Sequence, residues 1–206
     1  MLESIVQVGF SYYNKDYQVK YMKQVNFLKT FLKDKNVAAL TPTSSLTIKK
    51  ICSNIDFSKD LIIVEYGPGT GVCTKAILKQ LSANSKLITI ETNKDFISYL
   101  NTIKDSRLIN IKGSAQDVLK ILNSEGISQV DYVVSSIPFT FFSSSERASL
   151  VSSTHRIIKP GGSFIVYQYS PLMKKYLKDC FDNVVLKYSH LNIPGYFIMT
   201  GKKGGD

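Results

Sequence analysis

Cysteine and long apolar runs are scarce in this chain of 206 residues, and acid is outnumbered by base. Its cysteines, Cys52, Cys73 and Cys180, lie far apart and form no C-x-x-C pair. That argues against a zinc site and a secreted disulfide scaffold, and it fits a reducing cytoplasm. No apolar stretch approaches the ~20 residues of a membrane-spanning helix. The N-terminus carries Glu3 and lacks a cationic region followed by an apolar one, so no secretory signal is expected. Acidic residues number 16 against 26 basic ones, a formal charge of +10. Such an excess favours an anionic partner, nucleic acid or an anionic membrane surface, although lysine-rich composition also serves plain solubility. Histidine is scarce too. His155 falls late in a helical stretch beside Arg156, where a cation suits the helix end, and His190 falls between two strand-like runs; both read as structural.

What is present is an ordinary globular composition, 44% hydrophobic and 20% charged, in a chain long enough to bury one core unaided. Residues 1–40 stand apart. In "QVKYMKQVNFLKTFLKDK" (18–35), Tyr21, Val25, Leu28 and Leu32 recur at helical spacing, Phe27 and Phe31 widen that face, and Lys23, Lys29 and Lys33 oppose it. This predicts an amphipathic helix, as a membrane contact or as a lid. "TPTSS" (41–45) then breaks the chain, with Ser44 or Ser45 as N-cap of a helix near 46–55. From residue 61, strand candidates (61–66, 86–91, 107–112, 130–136, 163–169) alternate with helical ones (73–82, 94–104, 116–124, 144–157). That alternation predicts a parallel sheet with helices on both faces. A short helix (172–179) leads to two strand-like runs, 183–189 and 194–200, whose short link suits an antiparallel edge hairpin. One domain is expected over 41–201, with 202–206 as a tail.

The first strand ends in "VEYGPGTG" (64–71). Bare glycines at the carboxyl end of a first strand let a ligand approach the main chain. The spacing is not the dinucleotide fingerprint G-x-G-x-x-G, because its third glycine would fall at Val72. Glu65, just before the loop, would repel a pyrophosphate and attract a cation. Glu91, ending the second strand, is placed to accept hydrogen bonds from two ribose hydroxyls. The ligand so described has a ribose and a positive charge.

These residues resemble the class I S-adenosylmethionine-dependent methyltransferases, over residues 61 to about 200. The resemblance implies a Rossmann-like α/β fold, a seven-stranded mostly parallel sheet with an antiparallel edge hairpin. It also implies S-adenosylmethionine as cofactor, with S-adenosylhomocysteine as product. Glu65, Tyr66, Gly67, Pro68, Gly69 and Gly71 then form the cofactor loop, and Glu91 and Thr92 the ribose site. Ser114, Ala115 and Gln116 lie where the adenine is contacted, with Ser114 replacing the usual acid. "KPGGSFIVY" (159–167) is similar to the family's glycine turn before its fifth strand. Ser135 borders the cofactor at the end of the fourth strand, and Ser136-Ile137-Pro138-Phe139 resembles the (N/D/S)-x-P-(Y/F) motif of amino-group methyltransferases. There a polar side chain and a carbonyl accept hydrogen bonds from an amine, and the aromatic closes over it. Tyr167, Tyr169 and solvent are candidate routes for the amine's proton.

Two families share this motif set. "VAALTPTSS" (37–45) resembles an N-terminal stretch of the bacterial phospholipid N-methyltransferases, which would bring Thr43, Ser44 and Ser45 to the cofactor. "PGGSFIVYQYSP" (160–171) and "LNIPGYFIM" (191–199) are similar to later segments of that family. The ribosomal RNA adenine dimethyltransferases share the glycine loop and the acceptor motif, but they usually add a helical C-terminal domain and a "Q-N-F" entry segment. The expectation is therefore stepwise N-methylation of phosphatidylethanolamine, or of another aminolipid such as an ornithine-type one. It places the protein in the cytoplasm, peripheral at the inner membrane face, on an anionic surface with no obligate protein partner. RNA adenine N6-methylation is the alternative.

Overall fold

The computed structural model describes residues 45–190 and 195–205. The expected amphipathic helix at 18–35, together with Thr43 and Ser44, lies outside the described residues. Helix α1 (Ser45–Cys52) precedes β1 (Ile62–Tyr66), α2 (Val72–Leu78), β2 (Lys86–Glu91), α3 (Lys94–Leu100) and β3 (Leu108–Lys112). A single 3-10 turn, Ala115–Asp117, leads into α4 (Val118–Ser124) and β4 (Val130–Ser135). A second such turn, Phe139–Phe141, precedes α5 (Ser144–Ile157), β5 (Ile158–Gln168), α6 (Met173–Lys178), β6 (Asn183–Ser189) and β7 (Tyr196–Lys202).

The seven strands form one sheet in the order β3-β2-β1-β4-β5-β7-β6. The first five are parallel, and β7 runs antiparallel to both β5 and β6. The order reverses between β1 and β4, and this switch point opens the crevice at the carboxyl ends of those two strands. Strand alternation sorts the core into two layers. Ile63, Leu87, Val134 and Ile165 face α1 and α2, packing with Ile51, Cys73 and Ile77. Val64, Ile88, Val133 and Phe164 face the other way, onto Val118 of α4, Leu150 and Val151 of α5, and Leu177 of α6.

The local chemistry accounts for most boundaries. Helix α5 keeps its expected limits because Ser143 and Glu146 form a reciprocal capping box. Helix α3 starts where Asn93 accepts from the N–H groups of Asp95 and Phe96. The expected glycine turn at 159–162 sits inside β5 as a bulge. Val130 pairs with Ile158 and Tyr132 with Ser163, so the intervening residues loop out of register.

Candidate active site

The loop after β1 is held from both sides. Gly67 N–H donates to Ile90 O at 2.9 Å, and Gly71 N–H donates to Pro68 O at 2.9 Å, closing a tight turn over the buried Pro68. Gly67, Gly69 and Gly71 have φ of 66°, 54° and 70°, the left-handed region that side-chain-bearing residues avoid. At Gly67 a second reason applies: a Cβ there would lie 2.6 Å from Ile137 Cγ2. The acceptor segment thus rests directly on the glycine loop. At Gly69 the nearest atom to such a Cβ is Phe96 Cε2 at 4.0 Å, so bare main chain borders open space there.

Glu65 and Tyr66 are adjacent in β1 and therefore point to opposite faces. Tyr66 faces α5, where its hydroxyl meets Thr154 Oγ1 at 3.2 Å and its ring packs edge-on against Phe164. Only its main chain reaches the site, through Ser136 N–H donating to Tyr66 O at 3.3 Å. Glu65 faces α2. Its Oε2 accepts from Thr74 Oγ1 at 2.6 Å, while Oε1 is buried and has no hydrogen-bond partner among the described residues. Burial pushes this carboxyl up to about 7, against the lowering influence of Thr74 and Cys73. An orphaned carboxylate oxygen in a buried site is costly, and a cationic ligand would relieve it.

Glu91 is also buried, yet its carboxylate is well held: Oε2 accepts from Gly69 N–H at 3.2 Å and Oε1 from Asn93 N–H at 2.9 Å. Thr92 Oγ1 adds a longer bond to Oε1 at 3.4 Å. A carboxylate offers about four acceptor positions, so this one is oriented with capacity left for diol hydroxyls. Ser114 Oγ accepts from Gln116 N–H at 3.2 Å, capping its own turn, and Gln116 Nε2 donates to Glu146 Oε1 at 3.3 Å. Both side chains are so engaged, and with Ala115 buried the main chain of this turn is what remains to contact a ligand. Ser45 opens α1 and is exposed.

On the acceptor side, Ser135 is buried and its Oγ accepts from Ile137 N–H at 3.4 Å. Ser136 Oγ donates to Gly67 O at 2.8 Å. Pro138 turns the chain, and Phe139 goes into the core rather than over the crevice, contrary to the expected closing aromatic. Its ring is fully buried beside Phe142, at a centroid distance of 5.8 Å. The reason lies in α5: Arg147 Nε donates to Phe139 O at 2.8 Å and fixes the turn with the ring inward. Tyr169 stacks on Tyr196 with centroids 4.5 Å apart, and Tyr196 Oη donates to Tyr169 Oη at 3.0 Å. Tyr167 is buried near Glu65, Cys73 and Ser136, and burial raises its phenol well above the usual range. It stays neutral, able to relay a hydrogen bond but not to hold a charge. Thr74, Arg147 and Tyr196 were missed in the sequence. Thr74 had a signal, sitting in the first turn of the helix after the glycine loop, on the side that faces Glu65.

These residues fit S-adenosylmethionine: an orphaned buried carboxylate for its ammonium, a side-chain-free loop for its close approach, and an oriented carboxylate for its ribose. Among the described residues no cluster of histidine, cysteine or acid could hold a metal ion.

Comparison with known proteins agrees. Residues 63–162 match the family model described as a methyltransferase domain. An ornithine lipid N-methyltransferase of Singulisphaera acidiphila is 28% identical over 187 residues, covering 86% of this chain and 95% of that relative. Ribosomal RNA small subunit methyltransferase A of Mycoplasma capricolum is 33% identical over 128 residues, which are 62% of this chain but only 41% of that protein. Among solved structures, the 1,6-didemethyltoxoflavin-N1-methyltransferase of Burkholderia thailandensis, with bound 1,6-didemethyltoxoflavin and S-adenosylhomocysteine, superposes with a TM-score of 0.65. It is 11% identical and covers 93% of this chain and 92% of its own, a likeness of fold.

Proposed function

We propose that this chain, an S-adenosylmethionine-dependent methyltransferase, methylates the amine of a membrane aminolipid, phosphatidylethanolamine or an ornithine-type lipid. The observation that carries the reading is the match to an ornithine lipid N-methyltransferase along nearly the whole of both chains. When bound, the cofactor supplies a methyl on a sulfonium, which departs as a thioether as the amine lone pair takes the carbon. The chain's residues have three tasks: hold the amine, aim it, and let its proton go. Ser136, whose hydroxyl proton is committed to Gly67 O, meets the amine as an acceptor. Positioning of this kind supplies most of the acceleration in an in-line displacement. Tyr167 and Tyr169 offer hydrogen-bonded routes for the ammonium proton. The enzyme would act at the cytoplasmic face of the membrane; among the described residues no helix is long and apolar enough to cross it.

RNA adenine N6-methylation is the second reading, favoured by the 33% identity to the ribosomal RNA enzyme over its shared segment. Against it, Phe139 is fully buried and offers no face for a base to stack on. The test is transfer of radiolabelled methyl from S-adenosylmethionine to vesicles containing either aminolipid and, separately, to ribosomal RNA. Label in lipid is expected; label confined to RNA would overturn the aminolipid reading.

A further inference from the structure

We propose that the acceptor side of the crevice mouth is a docking surface for an anionic lipid bilayer, with Phe141 and Tyr188 entering the headgroup layer and Lys174 and Lys175 meeting lipid phosphates. The proposal rests on the aminolipid reading above. A headgroup amine is tethered to the bilayer by a few bonds, so the opening that receives it must lie against the membrane surface.

Of the six large apolar side chains exposed among the described residues, the two most exposed aromatic ones fall where that demand puts them. Phe141 is 64% exposed and Tyr188 is 55% exposed. Phe141 lies just beyond the carboxyl end of β4. Tyr188 is next to last in β6, which runs parallel to β5 because β7 is antiparallel to both. Both residues therefore stand at the carboxyl-end edge of the sheet. Tyr188 is on the side of the sheet that α5 and α6 cover, and Phe141 ends the turn that leads into α5. Val184 and Leu186, of the same parity as Tyr188, pack into the layer that contains α5 and α6. Tyr188 itself lies against Phe197 of that layer, with centroids 4.9 Å apart.

Helix α6 begins on this edge, and Lys174 and Lys175 stand in its first turn. Arg147 reaches the same place from α5, donating to Tyr176 Oη at 3.3 Å. The acid among them, Glu146, stays ionised, its carboxylate accepting from Ser143 N–H at 2.7 Å and from Gln116 Nε2 at 3.3 Å. Lys174, Lys175 and Arg147 outnumber it, so the patch is cationic as well as apolar, the combination that an anionic interface attracts. The main chain at Phe141 is held in place, its N–H donating to Pro138 O at 3.1 Å and the turn fixed by Arg147. A prearranged backbone lowers the ordering cost of insertion.

The chain contains no tryptophan, so Phe141→Trp gives the full-length protein a single tryptophan, on the patch, that can be excited apart from the tyrosines. Val185→Trp gives a control on the opposite face and near the start of β6, at a residue that is 43% exposed. Each variant is titrated with vesicles of phosphatidylglycerol and brominated phosphatidylcholine. The expected result is a blue shift and about twofold quenching at position 141, with none at 185. Vesicle binding without quenching at 141 would place the docking surface elsewhere and overturn the proposal. A response of the 141 probe to an RNA oligonucleotide but not to vesicles would overturn it in favour of RNA. In parallel, Phe141→Asp should raise KM for vesicular aminolipid about tenfold or more and leave kcat/KM for a short-chain monomeric acceptor unchanged; equal effects on both would overturn it. Quenching at 141 without methylation of either aminolipid would support the docking surface and sink the acceptor reading alone.

Discussion

Binding of S-adenosylhomocysteine at low pH should expel a proton from Glu65. In the ligand-free protein burial holds this carboxyl near 7 rather than 4.5, so at pH 6 it is about 90% protonated. A ligand ammonium needs the carboxylate. Binding should therefore release about 0.9 proton at pH 6 and about 0.1 at pH 8, and the apparent Kd should be about tenfold weaker at the lower pH. Calorimetry in two buffers of different ionisation enthalpy reads the proton count directly. Glu65→Gln keeps the shape but removes the titration. It should abolish the release, flatten the pH dependence and weaken binding at pH 8 by about ten- to a hundredfold, the worth of a charged hydrogen bond. The same raised carboxyl affects the ligand-free fold. The folded state keeps a proton that the unfolded chain loses above its value of 4.5, so this group favours folding most at pH below that value. The advantage, on the order of 3 kcal/mol, is lost as pH rises through about 7. Identical binding enthalpies in both buffers at pH 6 would refute the placement of Glu65 against the ligand's positive charge.

Glu91→Ala should weaken S-adenosylhomocysteine binding about a hundredfold, since it removes an oriented charged acceptor for two hydroxyls; unchanged affinity in calorimetry would end the ribose assignment. Gly67→Ala and Gly161→Ala both place a side chain at positive φ, 66° and 78°, but only the first meets a neighbour, Ile137 Cγ2 at 2.6 Å. Gly161→Ala should cost about 1 kcal/mol and Gly67→Ala distinctly more in denaturant unfolding, with equal losses counting against the close packing of the two loops. Phe139→Ala should destabilise by about 3–5 kcal/mol, as for a buried aromatic. Ser136→Ala removes one bond that holds the cofactor loop and should lower kcat with little loss of stability. A drop in kcat from Phe139→Ala at unchanged stability would contradict the buried placement of that ring.

The order of strands and helices from residue 61 was readable because its signals are local: apolar runs of strand length, glycine at turns, and caps such as Ser143 and Glu146. The placement of Glu65 and Glu91, buried at strand ends beside the glycine loop, was readable for the same reason. Tyr66 was assigned to the cofactor by adjacency to that loop, although strand alternation puts it on the face opposite Glu65. Period-two reasoning, applied one residue further, would have sent it to α5. Phe139 is a different case. No pattern in the sequence announces that Arg147, at the start of the next helix, would seize its carbonyl and turn the ring inward. Side-chain-to-backbone bonds of this kind leave no periodic trace.

The acceptor segment and the cofactor loop are joined so closely that neither can move without the other. Ser136 gives its N–H to Tyr66 O and its Oγ–H to Gly67 O, while Ile137 fills the space that a side chain at Gly67 would need. Three contacts between consecutive residues of two loops make a single rigid lip across the switch point. The consequence is chemical as well as mechanical. On the aminolipid reading proposed above, the Ser136 hydroxyl, its proton committed to Gly67 O, would present lone pairs to the N–H donors of an entering amine. It would so favour nitrogen over an oxygen that has no proton to share.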